Sequence, residues 1–167
     1  MTFPKRLLAL TFRGGALGAL GALGACGRDD AVAPTATLST AAVSALDTAL
    51  NDEYYAEAIY LRVLADFGNV MPFFNIVVAE QRHSASLRGV YERRGLVSPP
   101  SRWDLGTVPS FASVPAACAA AVDAEVANIA MYDRLFALDL PADLRTVFTN
   151  NRAASTNNHK PAFMRCR

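Results

Sequence analysis

Between Ser39 and Gly68 one face of the chain recurs at alternating steps of three and four residues: Val43, Leu46, Leu50, Glu53, Glu57, Tyr60, Leu64 and Phe67. That period marks an amphipathic helix whose seam turns toward a core. Two glutamates stand in the seam, and an ionised carboxylate without partners costs several kcal/mol to bury. The fold must therefore answer them with a counter-charge, a hydrogen-bond network or a cation.

The device recurs down the chain. From Pro72, tolerated in a first helical turn, a second seam runs Phe73, Ile76, Glu80, His83, Leu87 and Val90 before Gly95. From about Pro115 a third carries Cys118, Ala121, Glu125, Asn128, Tyr132 and Leu135, up to a break at Asp139 to Pro141. A fourth places Leu144, Phe148, Arg152, Ser155, His159, Ala162 and Cys166 at compatible spacing. Pro161 should bend or interrupt that helix, because proline lacks the amide donor and its ring meets the carbonyl four residues back. Ser39 suits an N-cap and Gly68 the left-handed position that ends a helix. No stretch alternates apolar with polar residues long enough for a sheet, and 52% hydrophobic residues suffice for one core, so the expectation is a single all-α domain.

Residues 96–114, with Pro99, Pro100 and Pro109, hold no helical period. A loop of that length needs a job. About 20 extended residues reach roughly 66 Å, whereas a helix of about 24 residues is roughly 36 Å long, so the segment can run the length of a bundle. Two short-turn hairpins joined by one crossover form an antiparallel four-helix bundle of ferritin-like connectivity.

At the amino terminus Lys5 and Arg6 lead into apolar residues, and after Arg13 a Gly/Ala/Leu stretch ends at Leu23-Gly24-Ala25-Cys26. The pattern resembles a bacterial lipoprotein signal with its lipobox; a spanning helix would need roughly 20 apolar residues. The expected organisation is a signal segment over 1–26 with Cys26 lipidated, a polar, proline-containing tether over 27–38, and the helical domain over 39–167. Cleavage removes three positive charges and takes the formal charge from +1 to −2. Lys160 is then the sole lysine, and the arginines form no stripe, so nothing points to nucleic acid. The domain would face the periplasm or exterior of the bacterial cell envelope, an oxidising space.

Glu53 lies fifteen residues before Gly68 and His83 fifteen after it, so an antiparallel hairpin sets them level, with Glu80 one turn away. The second hairpin repeats the pattern with Glu125 and His159. One buried glutamate is ordinarily a satisfied structural group; five ionisable side chains in one layer call for a cation. Tyr60 and Tyr132 read first as core with satisfied hydroxyls. Arg82, Arg88, Arg93 and Arg94 read as a solvated face. Arg152 is placed to neutralise Glu57, and Trp103 to pack. Cys118 and Cys166 face the way Glu125 and His159 do, but counting outward from the 139–141 turn leaves them roughly 9 Å out of step. A disulfide and two free thiols both stay open.

The stretches DEYYAEAIY, NIVVAEQRH, AEVANIAMYDRL and ASTNNHKPAFMRC, spread over about residues 45–166, resemble the rubrerythrin-related ferritin-like superfamily. More narrowly they are similar to a bacterial family catalogued as domain of unknown function 2202. The resemblance implies a buried di-iron or di-manganese centre with Glu53, Glu80, His83, Glu125 and His159 as ligands. Fe(II) oxidation or reduction of dioxygen or peroxide would be its chemistry, and Tyr60 and Tyr132 could serve a bound ligand or an electron. Thr156 departs from the pattern, which has glutamate three residues before its second histidine. One ion or two, with Glu57 or Asn128 as substitute ligands, therefore stay open, as do iron, manganese and zinc, with iron favoured by the resemblance alone. A non-catalytic protein that sequesters or relays metal is the alternative, and a dimer is left open.

Overall fold

Ser39 accepts a hydrogen bond from the Ala42 amide (3.1 Å) and caps α1, Thr40–Phe67. The computed structural model describes residues 37–166; the signal segment 1–26 with Cys26, and residues 27–36, lie outside them. Gly68 (φ +78°) sends its amide back to Leu64 and stops α1, and the turn through Pro72 leads into α2, Phe73–Glu92. A second left-handed glycine, Gly95 (φ +64°), follows α2. Ser113 caps α3, Val114–Leu135, with Pro115 in the first turn. The fourth rod is built of α4 (Ala142–Ala154), a π-helical turn over Ser155–His159 and α5 (Lys160–Arg165). All regular structure among the described residues is helical.

Hydrogen bonds fix how the rods run. Between α1 and α2 the pairs are Asp47–Tyr91, Glu53–His83 and Glu57–Gln81, numbers rising on one helix as they fall on the other. Tyr132–Asn151 and Asn128–Ser155 do the same between α3 and the fourth rod. Each pair of rods is thus an antiparallel hairpin. α1 also packs on α3, and α2 on α4, so the rods close around one interior.

That interior has three storeys. Leu46, Leu50, Leu87, Val90, Leu144 and Phe148 belong to an apolar cluster at one end. Val63, Phe73, Ile76, Ala121 and Phe163 belong to another at the opposite end. Between them, Glu53, Glu80, Glu125, Asn128, Asn151, Ser155 and His159 are among the buried polar residues. The two apolar clusters keep bulk water from reaching that layer along the bundle axis.

Residues 96–113 are the crossover the loop length requires. Trp103 Nε1 donates to Asn51 Oδ1 (3.1 Å) and its ring lies 4.7 Å from that of Tyr55. Arg62 donates to the Leu105 carbonyl further along α1, and Val108 is buried in the second apolar cluster.

Several side chains depart from the sequence reading. In α1 the innermost line includes Ala42, Ala45, Ala49 and Val63; Val43, Leu64 and Phe67 are only half-buried. Alanines let the rods approach, so the seam turns toward them. Glu57 consequently sits at the edge, accepting from Gln81 Nε2 (3.2 Å). Arg152 does not reach it: its guanidinium pairs with Asp133 (2.7 Å), and Asn151 takes the inward place beside it. Arg94 is not part of a solvated face; its side chain is 3% exposed and holds both oxygens of Asp143 in the first turn of α4. Leu38, assigned to the tether, is buried in the first apolar cluster, so the domain starts at least one residue earlier.

Candidate metal centre

The five expected ligands converge from four rods. Glu53 Oε2 and Glu80 Oε2 lie 3.2 and 2.9 Å from His83 Nδ1. Glu80 Oε1 and Glu125 Oε1 lie 3.0 and 3.5 Å from His159 Nδ1. Glu80 therefore gives one oxygen to each histidine, and the two rings stack with centroids 5.3 Å apart. Glu53, Glu80 and Glu125 are 1–2% exposed, His159 3%. One donor atom from each of Glu80, His83 and His159 falls within 4.8 Å of the other two, so this buried group can hold a metal ion.

Each outer glutamate is oriented by a tyrosine of the opposite hairpin. Tyr60 of α1 donates to Glu125 Oε1 (2.7 Å), and Tyr132 of α3 donates to Glu53 Oε1 (2.5 Å). Both tyrosines follow their own rod's glutamate by seven residues, two helical turns, so the hairpins mirror one another. Burial first, then the neighbouring carboxylates, hold both phenols well above the usual range, so they stay protonated donors. Asn151 adds a bond to the Tyr132 hydroxyl (3.2 Å) and reaches Glu53 Oε1 (3.5 Å).

Charge in the layer is not evenly distributed. Burial and the adjacent Glu80 push Glu53 up to about 7. At Glu80 burial is outweighed by His159, His83 and Glu53, and its carboxyl lies below the ordinary value. Burial also opposes charge on the imidazoles, but Glu53 and Glu80 raise His83 to about 10, and Glu125 and Glu80 raise His159 to about 9.

His159 exposes the chemical need. Its Nδ1 is within ion-pair distance of two carboxylates, yet makes no hydrogen bond of acceptable direction. A bare nitrogen lone pair facing two carboxylates is repelled unless a proton or a cation stands between them. Three carboxylates with two imidazoles form a donor set suited to iron, manganese or zinc.

Other expected residues fall outside the ligand set. Thr156 donates to the Arg152 carbonyl (2.9 Å), and Ser155, already on the fourth seam, is the buried one of the two; a π turn over Ser155–His159 spends an extra residue there. The same widening accommodates Pro161: the Lys160 amide reaches Ser155, five residues back. Asn128 is a bridge, donating to Asp52 Oδ2 (2.7 Å) and accepting from Ser155 Oγ (2.9 Å). Seam spacing singles out neither Asp52 nor Asn151. Asp52 lies one residue off the seam, where burial raises its carboxyl to about 6. Asn151 was hidden by the neighbouring Arg152. Cys118 and Cys166 are joined by a disulfide, Cα atoms 5.9 Å apart, because the hairpin register and the π turn bring them level.

No family model and no curated protein matches the chain. It is similar to one solved structure, a hypothetical protein of Methanococcus jannaschii, at 22% identity over 79% of this chain and 82% of that one, TM-score 0.70. The fold is shared. At that identity no activity comes with it, and the chemistry rests on the residues above.

Proposed function

We propose that this chain is a ferritin-like metal protein of the bacterial cell envelope, lipid-anchored through Cys26, with a buried centre for two adjacent transition-metal ions, iron before manganese or zinc. The observation that carries this is the division of Glu80 between His83 and His159. One half-site is Glu53, Glu80 and His83; the other is Glu80, Glu125 and His159. Two antiparallel hairpins joined by a crossover along α1 fit the ferritin-like arrangement. The Cys118–Cys166 disulfide favours an oxidising compartment.

Bound iron would supply one-electron redox chemistry toward dioxygen or peroxide. The residues around it do the positioning. Tyr60 and Tyr132 hold the outer carboxylates, Glu80 ties the half-sites together, and the apolar clusters close the layer to bulk water at both ends so that its charges act at a lowered dielectric.

Adding Fe(II) to metal-free protein should consume oxygen faster than buffer does, and His159→Ala should abolish the excess. A second reading, non-catalytic sequestration or relay of metal, is favoured by one observation: Thr156 turns to a backbone carbonyl and leaves the centre a carboxylate short of the ferritin-like pattern. Metal uptake with no oxygen consumption would select it.

A further inference from the structure

A cleft of about 90 Å³ lies between α1 and α3. At the ~30 Å³ a water takes in the liquid, it has room for about three. Glu80, Glu125 and Tyr60 line its buried part, whereas Glu53, His83 and His159 do not, so through Glu125 it opens on one half-site. Ala56, Ala124 and Ala127 line it toward the exposed side. Their short side chains leave the gap between the rods unfilled.

Asp52 stands on this wall. Its Oδ2 is held by Asn128, Oδ1 has no protein hydrogen bond, and no lysine, arginine or histidine lies within 4 Å among the described residues. Nothing nearby quenches its charge by direct contact. Asn128 is bonded onward to Ser155, which opens the π turn carrying His159.

We infer that the cleft is the entry route for a divalent cation to the Glu80–Glu125–His159 half-site, with Asp52 the first carboxylate the cation meets. A line of carboxylates from cleft wall to buried layer attracts a cation and repels an anion. The apolar clusters close the axial approaches. This inference rests on the metal reading above.

Stopped-flow absorbance on mixing the metal-free protein with Co(II) tests it. Asp52→Asn should slow loading at least about tenfold at low salt, with the difference shrinking as salt screens the attraction. Ala124→Leu, which fills the cleft, should slow it at any salt. Asp123→Asn, on the exposed face of α3, should load at the wild-type rate. Both slowed proteins should reach the wild-type Co(II) count. Unchanged rates in Asp52→Asn and Ala124→Leu would overturn the route and leave the centre standing. A lower final count in Asp52→Asn would make Asp52 a ligand and also overturn it. A wild-type protein that takes up no Co(II) would defeat the metal reading, and the route with it.

Discussion

The two half-sites are near copies with opposite hydrogen bonding. At His83 the ring nitrogen bonds both carboxylates it faces; at His159 the corresponding nitrogen lies 3.0 and 3.5 Å from its carboxylates and bonds neither. The first half closes on itself without help, while the second keeps an orphaned buried atom and a cleft. A network that satisfies its own polar groups contributes stability, whereas one left incomplete has affinity to give a ligand. The first ion is therefore expected at Glu80–Glu125–His159, the second, more weakly, at Glu53–Glu80–His83.

The largest effect should come from removing what the halves share. Glu80→Ala should weaken binding of both ions by more than about 100-fold in calorimetric titration, because loss of an outer hydrogen-bond partner alone costs 10–100-fold. Loss at one half only would break the idea of a shared bridge.

The histidines should then part company. His159→Ala should remove the tighter ion and cost the metal-free protein less stability than His83→Ala does, since its Nδ1 makes no directed hydrogen bond. His83→Ala should keep one ion but cost about 3 kcal/mol of metal-free stability in denaturant unfolding, since it breaks a buried ion pair. Identical losses in the two variants would erase the comparison.

The pH dependence follows from the same charges. Glu53 at about 7 and the histidines at about 10 and 9 all lie above their ordinary values. The fold thus binds protons more tightly than the unfolded chain does. Glu53's contribution is full below about 4.5 and is lost as pH rises through about 7; those of the histidines are full below about 6.5 and are lost through about 9 to 10. The metal-free melting temperature should fall from pH 6 to pH 10, while metal affinity rises up to about tenfold per pH unit for each proton displaced. The stabilisation by metal, read as the difference between the two melting curves, should widen with pH.

Smaller effects separate the tyrosines. Tyr60→Phe strips Glu125 of its hydroxyl partner, whereas after Tyr132→Phe Asn151 still reaches Glu53. A loss of about 10-fold in affinity is expected for the first ion in Tyr60→Phe, and less for the second in Tyr132→Phe. Smallest of all, Thr156→Ala should leave metal binding unchanged and stability within about 0.5 kcal/mol, because its hydroxyl meets only a helical carbonyl.

What the sequence made legible followed from period and punctuation. Helical spacing placed Glu80, His83 and Glu125 inward, and Ser39, Gly68 and Gly95 marked the ends of elements. Geometry that breaks the period was not legible. The π turn helps bring Cys118 level with Cys166, and no residue type announces it. Glu57 and Asp52 show the other limit: four inward alanines rotate α1 by a fraction of a turn, enough to move one carboxylate out to the edge and another to the cleft wall. Arg94 is drawn out of solvent by Asp143, a partner forty-nine residues away that local spacing does not reveal.

The central claim is that these five side chains share cations, and a direct count decides it. Metal-free protein saturated with Fe(II) under anaerobic conditions, then Mn(II) and Zn(II) in turn, and freed of excess ion, should carry two ions per chain by native mass spectrometry with at least one of the three, falling to one in His83→Ala. A wild-type chain that retains no ion from any of them, and melts at the same temperature with and without metal, would contradict the account.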